Sequence, residues 1–427
     1  MTLCELLDGL RSGEVNLLEG IDQLEARFEA READVRAFVP EDGRFARLRR
    51  EAEQLQRAYP DPAARPPLFG LPVGVKDIFH VAGFATRAGS RLPPELLQGV
   101  EADCVGQLRR DGALIVGKTV TTEFAYFAPG PTRNPHRLDH TPGGSSSGSA
   151  AAVAAGLCAL ALGTQTIGSV IRPAAFCGVV GFKPSFGRVS TVGIIPLSPS
   201  LDHVGFFTRD VTGAMTVAAR LCHGWQDDVA PPDRPIIGVP EGPYLEAAEP
   251  EGLAHFRQDC ERLRAAGFVV RPVAALPDFA EVRHRHLSLM AIEAAQTHAR
   301  WFGEYEDIYH PRTAELIRRG QAVSGDDRQA ALAYQSQTRQ QLSELMAAHD
   351  IDIWICPPAP GPAPHGLDST GDPVMNLPWT FAGLPALTLP TGVNSDGLPL
   401  GLQLVGRGQY DEQLIHYAQL IEAAIGH

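Results

Sequence analysis

The sequence predicts an α/β protein: one domain in which a sheet is covered by helices on both faces. Two observations carry this. Segments with strand character and segments with helical apolar spacing alternate along the chain. No repeat, low-complexity tract or convincing linker divides the 427 residues, a length that large α/β enzymes reach as one unit.

The elements follow in order. The first ~60 residues read as helices, because apolar residues such as Leu17, Leu18, Ile21, Leu24 and Phe28 recur at helical intervals. From Leu71 to Phe79, Leu71, Val73 and Val75 alternate with small residues, which predicts a strand leading into a lysine-bearing turn. A helix around Cys104–Asp111 and a strand at Ala113–Val116 come next, then a polar loop, Pro129–His140. From Pro142 the chain reads GGSSSGSAAAVAAG, a loop that opens a tightly packed helix. A second small-residue stretch, LGTQTIGSVIRPAAFCGVVGFKPS, follows it. Ile236–Val239 and Gly267–Pro272 read as strands around a helix at Glu251–Ala266, and Phe279 to His349 is helix-rich. IDIWICPPAP, ALTLP and LPLGLQLVG supply further strands, and Asp411–Ala424 a closing amphipathic helix.

Composition narrows the function. With 44% hydrophobic and 20% charged residues, the chain can bury a large core. A formal charge of −13 argues against a nucleic-acid binder, which gathers positive charge to neutralise phosphates. The seven cysteines include no CxxC pair, which suits a reducing compartment and free thiols. The N-terminal MTLCELLDGLRSGEV lacks the basic-then-apolar order of a signal peptide, and no stretch reaches the roughly 18 apolar residues of a membrane span. A soluble cytoplasmic protein with no membrane partner is the expectation.

The Gly/Ser run invites three chemical readings. It is not a phosphate loop of the GxxxxGK[ST] type, because Gly148 is followed by Ser149 rather than lysine. It is a poor flexible linker, because it runs straight into AAAVAAG. A Ser–His–Asp hydrolase would bring a GxSxG elbow, which the sequence lacks; His140, and His203 preceded by Asp202, are better read as structural. His136 and His140 have HxxxH spacing without a third ligand, so neither a metal nor another cofactor is expected.

Three segments, in order, carry a resemblance: PVGVKD with Lys76, PGGSSSGSAAAVAAG with Ser145, and TQTIGSVIRPAAFCGVVGFKPS with Ser169. They are similar to the amidase signature family of serine hydrolases, and GLPALTLPTG and GLPLGLQLVG extend the likeness to nearly the whole chain. The resemblance implies a central mixed, twisted sheet in a single domain over 1–427. Within it, 1–60 would be N-terminal helices, 65–215 the signature core, 230–350 a helix-rich insertion and 351–427 the C-terminal strands and helix. It further implies Ser169 as nucleophile, Ser145 as proton relay and Lys76 as base, with a cis peptide at Gly144–Ser145 and Ser146 in support. A serine hydroxyl needs a base, and a lysine is one only where burial or positive charge lowers its pKa. The backbone N–H groups of Thr166, Ile167, Gly168 and Ser169 would form the oxyanion hole. Ile167 stands where the family usually has glycine, which raises the question of whether that turn needs φ > 0.

Within the family, TQTIGSVIRPAAFCG and STGDPVMNLPWTFAGLPA look most like malonamidases. That likeness implies Arg172 as a fork for a substrate carboxylate, with the alternative that it pins the loop through backbone carbonyls. Thr164, Gln165 and Asn376 would line the pocket or support it. The leading expectation is therefore hydrolysis of a small, carboxylate-bearing amide, with that substrate and a second copy of the chain as partners and no nucleic acid. The alternatives are the amidotransferase subunit that charges transfer RNA, disfavoured for an acidic and comparatively short chain, and a non-catalytic relative.

Overall fold

The computed structural model describes residues 1–229 and 234–425. Ten strands make one sheet: β1 (Pro72–Lys76), β2 (Leu114–Thr119), β3 (Leu160–Gln165), β4 (Val180–Lys183), β5 (His203–Thr208), β6 (Ile236–Glu241), β7 (Val269–Ala274), β8 (Ile353–Cys356), β9 (Ala386–Val393) and β10 (Pro399–Val405). Their spatial order is β2-β1-β3-β5-β4-β9-β10-β8-β6-β7. Pairing is parallel at both ends, β2/β1/β3 and β8/β6/β7, and antiparallel through the middle. The sheet is mixed, as the family resemblance implies, and helices lie against both faces in a single α/β domain.

The first 60 residues fold as three helices, Leu3–Ser12, Leu17–Val35 and Arg44–Ala58. Thr2 and Glu5 close the first with a reciprocal capping box, and Asn16 caps the second. Leu17, Ile21, Leu24 and Phe28 are its buried stripe, packed against Val116 and the helix Ser147–Ala154. That short helix has no polar face: Ala150, Ala151, Ala152 and Val153 are fully buried. Its small residues allow backbone to approach backbone. A Cβ at Gly148 would lie 2.1 Å from the Ala37 carbonyl and 2.4 Å from the Val120 nitrogen. The other face of the sheet is covered by a larger apolar cluster that includes Val73, Val75, Leu160, Leu162, Phe206 and Leu404.

Three strands at the centre, β3, β4 and β5, escape the sequence reading, which saw only a small-residue stretch at 162–185 and no strand at 203–208. All their residues are buried. A strand covered on both faces has no polar alternation to announce it. In the helix-rich region, Phe279–Tyr305 and Gly325–Ala348 are long helices with Pro311–Gln321 between them.

Candidate active site

Parallel pairing brings the chemistry together. β1 and β3 are neighbours in register, with Val75 opposite Leu162, so Lys76 at the C-terminal end of β1 comes level with the end of β3. The turn after β3 carries residues 166–170 into the helix Ile171–Cys177. Sites outside the carboxyl ends of neighbouring parallel strands are a general property of α/β sheets.

Lys76 is completely buried. Its Nζ donates to Ser145 Oγ at 2.7 Å and Thr164 Oγ1 at 2.8 Å. Burial pushes its pKa down to about 7, and the charge of Asp202 opposes that shift. Desolvation penalises the ammonium, so an appreciable neutral fraction exists near pH 7. Ser145 follows a cis Gly144–Ser145 peptide. Ser146 and Ser149 stitch the following helix to β3: Ser146 Oγ donates to the Thr164 carbonyl at 3.2 Å, and Ser149 Oγ to that of Leu162 at 2.8 Å.

Ser169, 8% exposed, shares the wall of a narrow cavity of about 10 Å³ with Ser145, Thr166 and Ile167. Ser145 and Ser169 meet there without a direct hydrogen bond among the described residues; such links commonly tighten only when substrate is bound. The backbone amides of Ile167, Gly168 and Ser169 donate to no protein acceptor among the described residues. Backbone amides without an internal acceptor, at and next to a serine, are groups that an oxyanion can use. The conflict anticipated at Ile167 does not arise, because it is not among the residues with positive φ. Its side chain, 6% exposed, joins an apolar cluster with Leu197, Met290 and Val374. Gly168 is required for a different reason: a Cβ there would fall 2.2 Å from Asn376 Oδ1 and 2.9 Å from Pro373 Cβ.

The residues expected against substrate have internal work. Gln165 Oε1 accepts the amides of Val170 at 2.8 Å and Ile171 at 3.0 Å, and its Nε2 donates to Thr380 Oγ1 at 2.9 Å. It therefore caps the helix that begins beside Ser169. Thr164 receives the Lys76 bond. Arg172 is 1% exposed; its Nη1 donates to the Gly371 carbonyl at 2.8 Å and its Nη2 to the Gly144 carbonyl at 2.7 Å and Thr370 Oγ1 at 3.2 Å, leaving only Nε without a partner. These bonds anchor the loop, and Arg172 also lines the cavity that holds Ser145 and Ser169. Asn376 Nδ2 donates to the Pro358 carbonyl and to Gln403 Oε1.

His203 binds the Leu201 carbonyl through Nδ1, and burial together with Lys183 lowers its pKa well below the usual histidine value. His140 pairs with Asp139, and His136 with the Cys177 carbonyl. Among the described residues no cluster of three or more His, Cys, Asp or Glu could hold a metal.

Asp202, considered from sequence only as a partner for His203, instead faces the nucleophile turn. Its Oδ1 accepts from Thr166 Oγ1 at 2.5 Å, and its Oδ2 from the amides of Leu197 and Ser198 at 2.8 and 3.0 Å. Burial raises its pKa to about 6. The apolar walls, Ala125–Phe127, Leu197, Met290 and Pro373, also went unread. They come from distant segments, and nothing local marks them.

A buried lysine hydrogen-bonded to one serine, with a second serine on the wall of the same cavity as the first, is the equipment of a serine hydrolase. The chain is a member of the amidase family, whose model matches residues 21–415. It is 33% identical to a glutamyl-tRNA(Gln) amidotransferase subunit of Synechococcus sp. (strain RCC307), over 98% of this chain and 96% of that protein. It is 32% identical to the corresponding protein of Roseiflexus sp. (strain RS-1), over 97% and 94%. Among solved structures, one described as an amidase superposes with a TM-score of 0.90 at 33% identity, covering both chains completely. The peptide amidase of Stenotrophomonas maltophilia superposes at 0.82 with 28% identity, covering 100% of this chain and 97% of that one.

These relatives correct one expectation. The exclusion of nucleic acid, drawn from net charge, does not stand, because the curated relatives are proteins named for a transfer-RNA substrate. Net charge reports solubility and says little about a partner met through another polypeptide. No helix among the described residues is long and apolar enough to cross a membrane.

Proposed function

We propose that the chain hydrolyses a small amide through an acyl-enzyme on Ser169, with Ser145 as relay and Lys76 as base. The observation that carries this reading is the buried Lys76 Nζ, 2.7 Å from Ser145 Oγ, with its pKa lowered to about 7. Neutral Lys76 takes the Ser145 proton as Ser145 takes that of Ser169, and Ser169 Oγ attacks the carbonyl carbon. The amides of Ile167, Gly168 and Ser169 receive the oxyanion. The proton returns through Ser145 to the leaving nitrogen, the C–N bond breaks, and water then cleaves the ester by the same relay. Gln165, Ser146 and Arg172 serve as positioning residues. Arg172 holds the Gly144 carbonyl and the 370–371 loop, and this engagement weighs against a malonamate clamp.

A second reading is that the ammonia is consumed elsewhere, by a partner protein in a transfer-RNA-dependent amidation. The full-length likeness to the amidotransferase subunits supports it, and supports it better than malonamate specificity. Ammonia release should be measured from glutamine, malonamate and butyramide, with Ser169 labelling by a fluorophosphonate read by mass spectrometry. Failure to label Ser169 would remove the mechanism. Turnover of butyramide supports the stand-alone amidase, glutamine turnover that rises when partner proteins are added supports the second reading, and a strong malonamate preference would restore the clamp.

A further inference from the structure

At the opposite end of β1 from Lys76 the structure contains a larger cavity, of about 200 Å³, between the first two helices and the starts of β1 and β2. Aliphatic side chains line it, among them Leu6, Leu10, Leu24 and Val116, with Pro72 at the sheet. The Ser169 mechanism uses none of them. Two arginines stand exposed at its rim, Arg27 and Arg209. Both flank Gly156: a Cβ at that position would lie 3.0 Å from Arg209 Nη2 and 3.8 Å from Arg27 Cδ. Neither pairs with a carboxylate among the described residues. Partial desolvation against the cavity wall and the like charge of Arg209 lower the Arg27 pKa. Two guanidinium groups without a carboxylate partner at the mouth of an aliphatic cavity present paired donors that a planar anion could join.

We propose that this cavity, with Arg27 and Arg209 at its rim, is a binding site for an aliphatic carboxylate whose tail enters the cavity and whose head bridges the two arginines. The lining favours an unbranched alkyl tail, since no aromatic ring is offered for stacking. The rim selects a carboxylate or similar planar anion, because each guanidinium presents paired donors. Binding here is separate from catalysis, because the cavity meets the sheet at Pro72 while Ser169 lies beyond the carboxyl ends of the strands.

The test is calorimetric titration of the whole protein, with Ser169 blocked by a fluorophosphonate so that the active site is silent. Hexanoate, heptanoate and octanoate should bind one per chain, tightening about fourfold per methylene. Octanol and octyltrimethylammonium should bind at least tenfold more weakly than octanoate. Arg27→Gln with Arg209→Gln should weaken octanoate at least tenfold and leave octanol unchanged. Far-ultraviolet circular dichroism should show the variant folded, and single exposed Arg→Gln changes serve if the double variant is not. Absence of saturable octanoate binding, equal binding of octanol, or indifference to the arginine changes would overturn the proposal. Octanoate binding that weakens as protein concentration rises would overturn it too, showing that a second copy of the chain covers the mouth.

Discussion

Two lysines in this protein are equally buried and equally perturbed, yet they belong to different kinds of place. Lys76 and Lys183 are both fully buried, and burial pushes each down to about 7. Lys76 ends β1 and donates to the hydroxyls of Ser145 and Thr164, groups that can exchange protons. Lys183 ends β4 and donates to the carbonyls of Leu384 at 2.6 Å and Pro184 at 3.2 Å, which can only accept. Its nearby charge is Asp411, which binds the Ser185 amide and lies 3.9 Å from Arg188. A perturbed pKa marks a buried group; the partners decide whether it is a base. A third buried lysine, Lys118, is held in an ion pair 2.8 Å from Asp77 and donates a longer bond of 3.3 Å to Thr86 Oγ1.

The largest effect that tests this contrast is on turnover. Lys76→Ala and Ser169→Ala should each lower kcat by at least about a thousandfold, while Lys183→Met should keep activity within about twofold. A Lys183→Met variant as inactive as Lys76→Ala would erase the distinction.

Next comes pH. The base must be neutral, so kcat/KM should rise as pH increases through about 7, where Lys76 loses its proton. Asp202 opposes the lowering of that pKa. Asp202→Asn should therefore move the limb to lower pH, and an unmoved limb would show that Asp202 does not face the lysine electrostatically.

Arg172→Ala should follow, with kcat falling about tenfold to a hundredfold for acidic and neutral amides alike, because the Gly144 carbonyl and the 370–371 loop lose their anchor. A rise in KM confined to acidic amides would reinstate the carboxylate clamp.

The smallest effect is on stability. Lys183→Met leaves the Leu384 carbonyl without its donor, at a cost of about 1–3 kcal/mol. Its sign with pH is also set. The native lysine titrates near 7 and the unfolded one near its ordinary value of 10.5, so between them the unfolded chain binds more protons and native stability rises with pH. The variant lacks this gain. Its deficit in thermal denaturation should be larger at pH 9 than at pH 6, and a deficit independent of pH would mean that Lys183 is charged throughout.

The sequence by itself determined the α/β class, the helical N-terminus and the three segments that bring Lys76, Ser145 and Ser169, because these are local: periodicity, glycine–serine runs and short motifs survive without a fold. It left β3, β4 and β5 unread, since strands buried on both faces lose their alternation. Only the tertiary structure decided that Lys76 is dry, that Gln165 and Arg172 hold the backbone around the serines, and that Asp202 meets Thr166 from 36 residues away. The physical reason is common to all three. A side chain's donors and charge have no assigned role until packing excludes water and chooses their partners, many of which are adjacent in space rather than in sequence.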